Sequence, residues 1–248
     1  MMHRDAGIVD EFEVLCDIPE MRVSRLRMRE RLDVSDNSGD FEVLVFPLSG
    51  RVAVSVAGEG SEFELGEKDV CYVSKGREFR VRASGKSDVL FARAPAALSY
   101  RSYVRRLSET KPVDSGLPPY SRRIFTLIGE KVPANRLILG LVEGQQGNWT
   151  SFPPHRHDGK PEVYVYYGMG KKFGVQVVSA EGDEKAFVVR EGDAVLFERG
   201  YHPNVATPSV GMNFVWIISA DPKSTNLAVE LHPEYKDLPM GNTHLTTK

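Results

Sequence analysis

Cysteine is nearly absent. Cys16 and Cys71 are the two in 248 residues, with no CxxC pair and no even framework, so at most one structural disulfide could form. Two reduced thiols in a cytoplasmic protein are the expectation. No stretch approaches about 18 consecutive apolar residues, so no membrane-spanning helix is expected. The opening Met1–Asp5 runs into a mixed segment without the apolar core of a signal peptide. A dominant charge is missing too. Lys and Arg number 32 against 34 Asp and Glu, a formal net charge of -2 spread along the chain. A nucleic-acid partner would need a clustered basic stripe, so none is expected. Histidine is scarce and uneven: there are six, and none lies between His3 and His155.

What is present is strand grammar. Hydrophobic residues make up 41% and charged residues 27%, which sets the chain among globular proteins rather than disordered ones. Short runs rich in Val, Ile, Phe and Tyr, bounded by Gly, Pro, Asp or Ser, predict strands at 42–48, 51–57, 69–73, 78–83 and 89–94. A second set falls at 136–142, 162–167, 173–179, 185–189, 194–197 and 214–219. Many short strands at this spacing indicate antiparallel sandwiches or barrels, an all-β chain. Between the sets, 98–107 reads as one short helix. The Pro- and Gly-containing stretch after it reads as a linker. The domain expectation is 1–107, a linker at 108–123, and 124–248. Gly66–Phe79 and Gly192–His202 share a rhythm of Gly-acidic turn, apolar strand and Gly turn, which suggests a duplicated unit. Where the second copy carries His202, the first has Phe79 or a neighbour, so the first barrel is expected to lack metal ligands.

The densest chemical signal is Gly147-Asn-Trp-Thr-Ser-Phe-Pro-Pro-His155-Arg-His157-Asp-Gly-Lys-Pro-Glu162. Residues two apart on a strand point to one face, so His155 and His157 can aim imidazoles at one point. Asp158–Pro161 breaks the strand, Glu162 opens the next, and the Gly200 turn delivers His202 from a separate strand. Three imidazoles and one carboxylate suit one first-row divalent ion and leave positions for water or substrate. Zinc is the expected metal, with manganese or iron as alternatives. His3, His232 and His244 lie in terminal or loop-like sequence and are not assigned to the site.

That block, followed by a Gly-Asp strand and a Gly-turn His, resembles the two-part metal signature of the cupins. With Arg199-Gly-Tyr-His-Pro203, the fuller string is similar to the 5-deoxy-glucuronate isomerase family of inositol catabolism. The related 5-keto-4-deoxyuronate isomerases share the architecture. The resemblance implies a bicupin, two jelly-roll-type β-barrels in one chain, and a metal-dependent aldose–ketose isomerase acting on a deoxy-uronate. The string departs from the family's usual one at Phe152, Arg156, Val177 and Glu198, which leaves the anchor for the substrate carboxylate open.

If Glu162 faces inward, Tyr164 and Tyr166 share its face and become candidates for proton relay. Glu198 and Asp158 are candidate bases. Arg156, Lys160 and Arg199 are the cations considered for the sugar-acid carboxylate, and Gln176, polar in an apolar strand, is a candidate pocket wall. Two other readings remain: a cupin dioxygenase using Fe(II), and a non-enzymatic sugar-binding bicupin. An isomerase calls for a polar cavity, and a dioxygenase for an apolar one beyond the metal. Tyr164, Tyr166 and Gln176 favour the polar case. A symmetric homo-oligomer is expected, because an exposed sheet face in such a chain is covered by its like.

Overall fold

A computed structural model describes residues 11–221, 226–242 and 246–247. The chain is nearly all β and divides into two compact units, Met1–Thr110 with Lys131–Leu137, and Lys111–Glu130 with Ile138–Lys248. The first unit holds β1 (Glu11–Ile18), β2 (Met21–Met28), β3 (Asp33–Asn37), β4 (Phe41–Ser49) and β5 (Val52–Val56). It continues with β6 (Phe63–Leu65), β7 (Val70–Val73), β8 (Glu78–Ala83), β9 (Ser87–Pro95) and β10 (Tyr103–Arg105). The second unit opens with β11 (Val113–Ser115), β12 (Arg122–Ile128), β13 (Leu137–Gly144), β14 (Trp149–Thr150), β15 (His155–Arg156) and β16 (Glu162–Tyr166). After them come β17 (Phe173–Ala180), β18 (Asp183–Arg190), β19 (Ala194–Phe197) and β20 (Asn204–Ala206). The last are β21 (Phe214–Ser219), β22 (Ala228–Leu231) and β23 (Thr246–Thr247).

Each unit is built on two antiparallel sheets. In the first, β1-β2-β9-β4-β7-β10 accompanies β3-β8-β5-β6; in the second, β11-β12-β13-β21-β16-β19 accompanies β14-β20-β17-β18. The orders β2-β9-β4-β7 and β13-β21-β16-β19 correspond strand for strand, as do β3-β8-β5-β6 and β14-β20-β17-β18. The second unit adds β15-β22-β23. This repeat is the jelly-roll grammar of a bicupin.

The first unit fills its interior with apolar side chains from both sheets, including Val43, Val45, Val54, Phe79, Val81 and Phe91. The second has an interior richer in aromatics, with Tyr164, Tyr166, Phe197, Phe214 and Trp216.

All eleven strands read from the sequence are present, with ends shifted by at most two residues. The expected helix at 98–107 is not. Tyr103–Arg105 instead pairs with β7, and the Tyr103 ring stacks on Tyr72 at 4.9 Å. Helix is limited there to one 3-10 turn, Leu107–Glu109. Tyr and Val beside an exposed sheet edge gain more from pairing than from an isolated helical turn. Within the stretch expected as linker, residues 113–115 and 122–123 are strand. β2 escaped the sequence reading because its alternation breaks at Ser24-Arg25. Arg25 is buried and paired with Asp88 from β9, so a charge occupies an interior position.

Candidate metal centre

Two separate pieces of chain deliver the three histidines. His155 starts the two-residue β15, which is held by pairing with β22. His157 lies just beyond it, so strand alternation alone does not place it; its Nδ1 is 3.0 Å from the Lys160 carbonyl. His202 follows the turn at Gly200, whose φ of 93° is a left-handed conformation suited to glycine. Tyr201 and Ser179 exchange backbone hydrogen bonds across that turn.

The Nδ1 atoms of His155 and His202 face the carbonyls of Pro153 at 3.3 Å and Gly200 at 2.9 Å. A carbonyl only accepts, so each Nδ1 carries a proton and each Nε2 lone pair is left for the site. One ring nitrogen from each of the three histidines lies within 4.8 Å of the others, forming a group that could hold a metal ion. Glu162 Oε2 joins them, 2.9 Å from His157 Nε2 and 3.3 Å from His202 Nε2. Glu162 and His202 are buried, and despite the nearby carboxylate His202 Nε2 makes no hydrogen bond of good geometry among the described residues. A buried nitrogen left so is costly unless something occupies the space before it. The donor set, three imidazoles and a carboxylate, fits a divalent transition metal.

The charges are strongly coupled. Burial, followed by the neighbouring His202 and His157, pushes His155 well below the usual histidine range. Burial also opposes charge on His157, but the Glu162 carboxylate and its hydrogen bond outweigh it and raise that imidazole. Burial alone would raise Glu162; His157 and His202 hold it at about 2. The carboxylate is therefore ionised and His155 neutral near pH 7, the states that ligands require.

A pocket opens on this group. Tyr164 and Lys160 line it, together with Ser151 and Asn226. The Tyr164 hydroxyl and Ser151 Oγ are 2.7 Å apart, with Ser151 in the left-handed region at φ 50°. Lys160 Nζ donates to the carbonyl and Oδ1 of Asn226 at 2.8 and 3.1 Å. Much of the remaining lining is apolar, contributed by β12, β13, β21 and β22.

The other residues singled out by sequence lie elsewhere. Tyr166 is fully buried, and its hydroxyl donates to Gln176 Oε1 at 2.7 Å. Gln176 is also fully buried; its Nε2 donates to the carbonyls of His202 and Pro203, so it steadies the His202 segment. Neither lines the pocket, and the expected polar cavity is largely apolar because both side chains are spent on each other. Arg156 pairs with Glu230 at 2.8 Å and approaches Asp158 at 3.5 Å. Arg199 is exposed and faces Glu181 at 3.3 Å. Glu198 is exposed, beside Arg199 in a shallow cleft that also touches His157 and Lys160.

Sequence reasoning passed over Arg122. It is 5% exposed, its Nη1 donates to the carbonyls of Tyr120 and Phe152, and burial pushes it down to about 10. It braces the turn that leads to His155. Ser151 was also missed. Nothing in a Thr-Ser-Phe string marks a left-handed residue.

A family model described as the KduI/IolB family matches residues 8–238. A 4-deoxy-L-threo-5-hexosulose-uronate ketol-isomerase of Opitutus terrae is 26% identical over 73% of this chain and 67% of its own length. A 5-deoxy-glucuronate isomerase of Geobacillus thermodenitrificans is 30% identical over 55% of this chain and 54% of its own. The second match thus spans about half that relative's length. Among solved structures, an IolB-like protein from Salmonella typhimurium LT2 superposes with a TM-score of 0.82 at 17% identity, covering 95% of this chain and 97% of that one. Oxalate decarboxylase of Bacillus subtilis gives a TM-score of 0.65 at 13% identity, covering 82% and 70%. These two show the fold.

Proposed function

The chain belongs to the KduI/IolB family, and on that premise we propose that it is a metal-dependent isomerase interconverting the aldose and ketose forms of a deoxy-uronate. The observation that carries this reading is the convergence of Glu162 and three histidines, whose Nδ1 atoms are turned to backbone carbonyls, with His155, His157 and Glu162 lining a pocket. His155, His157, Glu162 and His202 would hold one divalent ion, zinc in this proposal, with manganese or iron as alternatives. Bound there, it would supply Lewis acidity to adjacent carbonyl and hydroxyl oxygens of the sugar.

The reaction moves a proton between neighbouring carbons, so the chain must manage protons at the sugar oxygens. Tyr164 is the hydroxyl placed for this. Burial, then the Glu162 charge, pushes its phenol well above its ordinary range, so it stays protonated and can donate. Ser151 Oγ, within hydrogen-bond reach, completes the relay. Lys160 lines the pocket and meets the carboxylate of the sugar acid. Arg156 and Arg199 hold carboxylates outside it. The first barrel carries no metal and serves as scaffold, the chain works in the cytoplasm, and both cysteines are buried. Among the described residues no helix is long and apolar enough to cross a membrane.

The largely apolar lining favours one competing reading, an Fe(II) cupin dioxygenase. The two separate under anaerobic conditions. Metal-stripped protein restored with Zn²⁺ and given 5-deoxy-glucuronate should convert aldehyde to ketone by NMR without oxygen. Activity confined to Fe(II) with O₂ would establish the dioxygenase, and silence on every uronate with every metal would leave a binding protein.

A further inference from the structure

One wall of the pocket is a sheet face, and the side chains it presents are apolar. Ile124 and Val142 are cross-strand partners on β12 and β13. Phe214, Trp216 and Ile218 alternate along β21, so they share one face. Val229 closes in from β22. All six line the pocket and are buried. In register, Ile218 lies opposite Glu162 and Trp216 opposite Tyr164, so the stripe begins beside the ligand carboxylate.

The polar groups of the pocket flank this stripe and engage one another. Ser151 faces Tyr164, His157 faces Glu162, and Lys160 reaches Asn226. A sugar bound with its oxygens at the histidine cluster would lay its carbon chain against this apolar surface. A hydroxyl on that stretch would leave water without finding a replacement partner, whereas a methylene would lose nothing and bury apolar area.

We propose that this stripe is the specificity device of the site, seating the deoxygenated carbon of the substrate and disfavouring the fully hydroxylated uronate. The proposal rests on the isomerase reading above. Both curated relatives described carry "deoxy" in their names, and the stripe supplies a physical reason why such a site would prefer that chemistry. Apolar pockets reject an added hydroxyl by roughly 10- to 100-fold.

The test compares 5-deoxy-glucuronate with glucuronate on Zn²⁺-loaded protein, by kcat/KM and by calorimetric dissociation constants. The unaltered protein should favour the deoxy acid by roughly 10- to 100-fold. Val142→Thr is isosteric and adds a hydroxyl to the wall, so it should narrow the ratio several-fold; Ile124→Thr gives a second chance should the first misfold. Each ratio is taken within one preparation, so a uniform loss of active protein cancels. Equal kcat/KM for both acids, or a ratio unmoved in both variants, overturns the stripe while leaving the isomerase intact. No turnover of either acid overturns the isomerase reading instead. The ratio of dissociation constants still decides the stripe in that case, and equal affinities reject it.

Discussion

Tyr164 and Tyr166 stand two residues apart on one strand face, yet their hydroxyls have different fates. Tyr164 lines the pocket and shares a hydrogen bond with Ser151, while Tyr166 donates to Gln176 away from it. Tyr164→Phe should therefore lower kcat by about 100-fold or more, the usual weight of a positioned acid or base. Bound metal, read by elemental analysis, should be unchanged. Tyr166→Phe should cost about 1 kcal/mol of stability for one buried hydrogen bond and leave most turnover. A Tyr164→Phe enzyme running at the unaltered rate would remove the phenol from the proton path. The shared face of these tyrosines was legible from alternation. Which hydroxyl would be consumed was not, because Gln176 reaches Tyr166 from a strand of another sheet.

At the scale of elements, eleven strands were legible, but the long β1, β2 and β12 were not, and neither were the shortest strands. β14, β15 and β20 have two or three residues, too few for any period to show, and their pairing is set by distant partners. Yet β15 and the turn before β20 carry two of the histidines. The site was readable through its residue types and turn punctuation rather than its secondary structure. Gly200 is the punctuation that matters most. A Cβ there would meet the Ser179 carbonyl oxygen at 2.7 Å and Ala180 Cβ at 2.9 Å, whereas at Gly182, with a similar φ, it would meet nothing within 4 Å. Gly182→Ala should cost about 1–2 kcal/mol, the left-handed penalty alone. Gly200→Ala adds overpacking, for a total of about 2–4 kcal/mol in denaturant titration, and should lower metal occupancy by displacing His202. Equal effects of the two substitutions would show that the close approach at Gly200 carries no weight.

At the scale of the molecule, one strand order occurs twice and is used in two ways. In the first unit Val43 pairs with Val73 of β7, and in the second Glu162 pairs with Phe197 of β19. The position of the ligand carboxylate is thus a core valine in the first barrel. The duplication was legible from turn rhythm; the matching register needed the structure. The second unit also carries a surface on which the expectation of a homo-oligomer can be tested. Trp149, Val205, Val175 and Val188 align in register across β14, β20, β17 and β18, forming an apolar row on a sheet face. Val188 is 60% exposed, and Phe173, on the same face of the hairpin, is 40% exposed. Such a face normally carries polar residues when it meets water. A net charge of -2 offers little repulsion between copies. Sedimentation velocity at micromolar concentration should therefore find a symmetric oligomer. Val188→Lys, combined with Phe173→Lys, should shift it to monomer. A monomeric unaltered chain would reject the homo-oligomer, and an oligomer indifferent to both lysines would place its interface on another surface.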